Sequence, residues 1–68
     1  MVSKGENMLK FEDFAKALDK DLRIEVYDKI GNLIHNGKLK DLKFIPENIV
    51  KIIPQSTSRE IFLEIYTY

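Results

Sequence analysis

Sixty-eight residues, 44% hydrophobic and 32% charged, describe one small domain: too apolar to stay disordered, too charged for a bilayer interior, too short for a second core. Eleven basic side chains balance eleven acidic ones, which supplies neither the cationic excess of a charge-driven nucleic-acid binder nor the anionic excess of a DNA mimic. With no cysteine there is no disulfide or thiolate metal site, the cytoplasm is the expected compartment, and no apolar run is long enough for a signal-peptide core or a membrane span.

In chain order, residues 1–7 read MVSKGEN and resemble the leader that opens expressed fluorescent proteins; a second methionine follows at Met8. They are read as an expression leader or a disordered terminus, which leaves 8–68 as a single small α+β domain. Phe11, Phe14, Ala15 and Leu18 then follow the i, i+3, i+4, i+7 rule and mark the buried stripe of a short helix. Glu12 and Asp13 in its first turn, with Lys16 and Lys20 toward its end, suit the helix dipole. So short a helix does not persist alone and must lay its phenylalanines on a sheet.

Leu22, Ile24 and Val26 alternate with Arg23, Glu25 and Tyr27, the pattern of a strand with one buried face. Asp28-Lys29-Ile30-Gly31 predicts a type I turn with Gly31 as the left-handed residue of a bulged hairpin. That turn sets Asp28 opposite Asn32, Tyr27 opposite Leu33, Val26 opposite Ile34 and Glu25 opposite His35. Unbroken alternation would then bury Lys38, so a bulge is expected at Asn36-Gly37, turning Leu39 inward. Residues 40–44 read as a connector anchored by Leu42 and Phe44, followed by an Ile45-Pro46-Glu47-Asn48 turn. A third strand over 49–53 should end at Pro54, with Val50 and Ile52 toward the core and Ile49 and Ile53 away. The last strand starts at Arg59 and pairs back on the third. It is apolar on both faces, with Ile61, Leu63 and Ile65 on one and Phe62, Tyr66 and Tyr68, beside Glu60 and Glu64, on the other. The expected fold is α+β: a short N-terminal helix, then a four-stranded, mainly antiparallel meander able to curl into an SH3-like open barrel.

The stretch FEDFAKALDKDLRIEVYDKIGNLIHNGKLKDL resembles a type of small protein found in bacteriophages and prophages of low-GC Gram-positive bacteria. The shared features are a Leu-Asp-Lys-Asp helix end, an Asp-x-x-Gly-Asn hairpin and a Gly-Lys-x-Lys-Asp-Leu return strand. The resemblance implies a phage setting, in which small binding proteins act in the host cytoplasm as accessory factors or inhibitors of host defence. It carries no active site.

The residues themselves offer little chemistry, and no enzyme, cofactor or metal is expected. His35 is the sole histidine and reads as a strand residue beside Glu25. Glu60 and Glu64 share a strand face but stand about 13 Å apart along it, outside paired-carboxylate range. Asp19 and Asp21 match no calcium loop, and the isolated glycines form no phosphate cradle.

What remains is a surface. The face away from the core collects Tyr27, Leu33, Ile49, Ile53, Phe62, Tyr66 and Tyr68, aromatic-rich and arginine-poor, which suits a protein interface. The expected partner is another protein, a host defence component in an anti-CRISPR-like role, and a homodimer through the last strand fits the same surface. The alternative is a nucleic-acid-binding small β-barrel using Lys38, Lys40, Lys43 and Lys51; it ranks second because the net charge is zero and the arginines number two.

Overall fold

A computed structural model describes residues 9–68, so the expected leader lies outside the described residues. The elements are β1 (Leu9–Lys10), α1 (Phe11–Lys16), β2 (Arg23–Tyr27), β3 (Leu33–Lys38), a 3-10 turn (Leu39–Asp41), β4 (Asn48–Ser56) and β5 (Ile61–Thr67). They form one open sheet in the order β1-β4-β5-β2-β3, antiparallel throughout except where β5 runs parallel to β2. The small α+β domain with a mostly antiparallel sheet is as the sequence leads one to expect. The strand count and order are not: among the described residues the sheet has five strands, and β5 separates β4 from β2 where a meander would set β4 beside β3. β5 takes the middle of the sheet, with a paired strand on each edge.

The hairpin turn forms as its sequence dictates. The Asp28 N–H donates to the Asn32 carbonyl at 2.9 Å, and Gly31, at φ 93°, supplies the left-handed residue. Asp28 Oδ1 accepts from the N–H groups of Ile30 and Asn32 at 3.0 and 2.8 Å, which closes the turn on itself. Tyr27 then faces Leu33, but Val26 faces His35, so the bulge lies at Ile34 instead of Asn36-Gly37. The phase shift has the anticipated result, since Lys38 turns out and Leu39 turns in. It also separates His35 from Glu25, whose partner is Asn36; His35 donates from Nε2 to the Lys38 carbonyl at 3.1 Å instead.

A second bulge reverses an assignment in β4. Ile49 faces Thr67 and Lys51 faces Tyr66, leaving Val50 as the extra residue. Ile49 therefore enters the core at 5% exposure, and Val50, expected inside, stands 60% exposed. Nor does β4 end before Pro54; it continues to Ser56 with Pro54 inside it. Proline cannot donate to a ladder, and β4 tolerates it because, among the described residues, its far side pairs with β1 only at Asn48 and Ile49.

Phe11, Ile24, Val26 and Ile65 are fully buried, joined by Leu39 and Ile49, with Phe14, Ala15, Leu18, Leu22, Leu42, Ile52 and Leu63 packed around them. The helix thus covers the sheet face that carries Ile24, Val26 and Ile65. The Phe11 N–H donates to the Glu47 carbonyl and ties the start of the helix to the segment before β4, and the Leu39 N–H donates to the Leu22 carbonyl and extends the β2–β3 pair by one step. The opposite face has no second layer among the described residues.

Candidate protein-binding face

Strand register turns that opposite face into a grid. One row runs Leu33, Tyr27, Tyr66, Lys51; the next runs Asn36, Glu25, Glu64, Ile53; the third sets Lys38 beside Arg23 and Gln55 beside Phe62. Alternation on β2 and β5 sends these residues out because their neighbours Ile24, Val26 and Ile65 are held in the core.

Tyr27 and Tyr66 stack with ring centroids 4.7 Å apart and planes inclined by 13°. Each donates its hydroxyl to the glutamate two residues earlier on its own strand: Tyr27 to Glu25 at 3.0 Å and Tyr66 to Glu64 at 3.3 Å. Donation to Glu25 is the main cause that holds the Tyr27 phenol above its ordinary pKa. For Tyr66 the first cause is desolvation, followed by the nearby charge of Glu64. The Lys51 ammonium lies 5.2 Å from the Tyr66 ring centre and that of Lys29 lies 5.7 Å from Tyr68.

The third row is closed in another way. The Arg23 guanidinium sits 3.9 Å above the Phe62 ring, donates to Asn36 Oδ1 at 2.7 Å and to Glu25 Oε2 at 3.2 Å. Its Nε lies 3.2 Å from Glu60 Oε2 at an angle that makes no hydrogen bond, so that contact is held by charge alone. Phe62 is left 8% exposed beneath this lid.

The structure therefore divides the expected interface residues. Tyr27, Leu33, Ile53, Tyr66 and Tyr68 lie on or beside the uncovered face; Ile49 is in the core, and Phe62 is sealed under Arg23. Arg23 and Asn36 were not singled out by sequence as part of this face. Their signal was present in the alternation of Arg23, Glu25 and Tyr27, but it acquires meaning only once β5 is known to lie beside β2. The four lysines are not gathered: Lys38 and Lys51 occupy opposite corners of the grid, roughly 20 Å apart by strand spacing. Lys40 is on the 3-10 turn, paired with Asp21 at 3.2 Å, and Lys43 is in the connector beyond it.

Among the described residues no group of three or more His, Cys, Asp or Glu side chains could hold a metal ion, and no helix is long and apolar enough to cross a membrane. No protein-family model, curated protein or solved structure matches the chain.

Proposed function

We propose that this chain is a non-enzymatic protein-binding module, phage-encoded and acting in the host cytoplasm as an accessory factor or inhibitor directed at a host defence protein. The uncovered sheet face is its docking surface. The observation that supports this reading is the row Leu33, Tyr27, Tyr66: an exposed leucine beside two stacked tyrosines whose hydroxyls are already tied to Glu25 and Glu64. Aromatic side chains fixed before contact lose little conformational freedom on binding, the condition under which a small face can bind well. The phage setting rests on the resemblance of the helix and hairpin sequence alone.

The nucleic-acid reading has less to draw on, since the net charge is zero and Lys40 is paired with Asp21. The test is site-specific photo-crosslinking from positions 33 and 68 in host cells, with the captured species then purified and titrated against the chain. A single host protein that binds the wild type and is lost in a folded Leu33→Asp/Tyr66→Ala variant supports the reading. Capture of nucleic acid, or loss of activity in Lys38→Glu/Lys40→Glu but not in the face variant, overturns it.

A further inference from the structure

A second surface lies on the helix side of the molecule, away from the tyrosine row. An open groove of about 380 Å³ runs between α1 and the segment that follows β3. Its floor is apolar, made by Ala15, Leu39, Leu42 and Ile45, and Lys16, Lys20 and Lys40 stand on its rim with Glu12. Lys40 is engaged by Asp21, whereas Lys16 and Lys20 make no ion pair among the described residues.

The connector beside this groove departs from its expected role. Leu42 does anchor it to the core, but Phe44 does not; Phe44 and Ile45 stand side by side at 53% and 57% exposure. Ile45 lines the groove, and with Phe44 it gives this connector two exposed large apolar side chains, the kind of surface that marks an interaction site.

We infer that this groove binds an acidic segment of a partner protein, which inserts an apolar side chain between Ala15, Leu42 and Ile45 and sets carboxylates against Lys16 and Lys20. Charge complementarity selects the acid: with Lys40 engaged by Asp21, the rim presents the ammonium groups of Lys16 and Lys20 against the single carboxylate of Glu12. The open shape of the trough selects a segment over a free small molecule, because Lys16, Lys20, Lys40 and Ile45 are all exposed and no described residue closes over the top. The site does not depend on the tyrosine row, and either surface can fail without the other.

The test uses the full chain labelled for amide NMR and two synthetic peptides, one of alternating leucine and glutamate flanking a phenylalanine and one with lysine in place of every glutamate. The glutamate peptide is expected to shift the amides of Ala15, Leu39, Leu42 and Ile45, more weakly at high salt. A Lys16→Glu/Lys20→Glu variant should weaken it by about tenfold, and the exposed-site variant Ile45→Asp, which keeps the core intact, should weaken it likewise. The lysine peptide should leave those amides unmoved. Equal response to both peptides, undiminished binding by the double variant, shifts confined to Tyr27 and Tyr66, or no shift at all would each overturn the inference.

Discussion

The guanidinium of Arg23 lies 3.9 Å above the ring of Phe62, and this one contact decides what the uncovered face offers a partner. Arg23 covers an aromatic ring and also sets its one positive charge between Glu25 and Glu60. Arg23→Ala is therefore expected to destabilise the fold by roughly 1–2 kcal/mol, the sum of a partly desolvated cation–π contact and its charge-assisted bonds. Arg23→Lys should recover only part of this, because an ammonium cannot lie flat on the ring while reaching Asn36 and Glu25 together. Urea midpoints of the wild type and the two variants measure the difference; if all three coincide, the lid is ornamental.

Ionisation of the stacked tyrosines should lower stability at alkaline pH. Both phenols are raised above 10.0 in the folded chain, so the folded state holds their protons more firmly than the unfolded state does. Their contribution is fully present below pH 10.0 and is lost as the pH rises beyond it, because the unfolded chain then releases protons first. Tyr27→Phe/Tyr66→Phe should flatten that part of the stability–pH curve. Ultraviolet titration of tyrosinate tests it directly, and normal ionisation of both phenols would refute it.

The bulge at Val50 makes neighbouring residues unequal in a way that alternation would reverse. Ile49→Ala should cost about 2–4 kcal/mol, as core truncations do, and Val50→Ala should stay within about 0.5 kcal/mol. Thermal or urea unfolding of the pair reads the register without a structure. The opposite ranking would restore the phase in which Val50 faces inward.

Gly31 should resist substitution for a backbone reason, since no atom lies within 4 Å of an added Cβ yet φ is 93°. Gly31→Ala is expected to cost about 1–2 kcal/mol, the strain of a left-handed residue carrying a side chain, with Gly31→Asn costing less. Indifference to both changes would mean that the turn relaxes to another type.

Local chemistry was legible in the sequence, and long-range order was not. Asp28 and Gly31 specify their hairpin through groups within four residues of one another, so the turn and the Tyr27–Leu33 pair follow from the sequence alone. The two bulges carry no such signature: the extra residues are Ile34 and Val50, β-branched side chains at home in a regular strand, and only tertiary packing decides which is expelled. The central place of β5 was not written in its two apolar faces, which report what lies above and below a strand and say nothing of which strands pair along its edges. The candidate face was legible to the same degree. Tyr27 and Tyr66 could be put on one side of the sheet, whereas their contact required β2 and β5 to be adjacent.

The position of β5 has a consequence for assembly. β2 and β3 zip through a tight turn, yet neither shares a ladder bond with β4 until β5 comes between them. It is the keystone of the sheet, supplied after the strands it joins. A chain cut at the Thr57–Glu60 turn would keep the β2–β3 hairpin and, apart from it, β4 with its short partner β1, both waiting for one sequence, and a peptide spanning Ile61–Thr67 should complete them in trans. The same vacancy would accept that strand from a neighbouring chain, which makes exchange of β5 the natural route by which this fold would pass from one molecule to two.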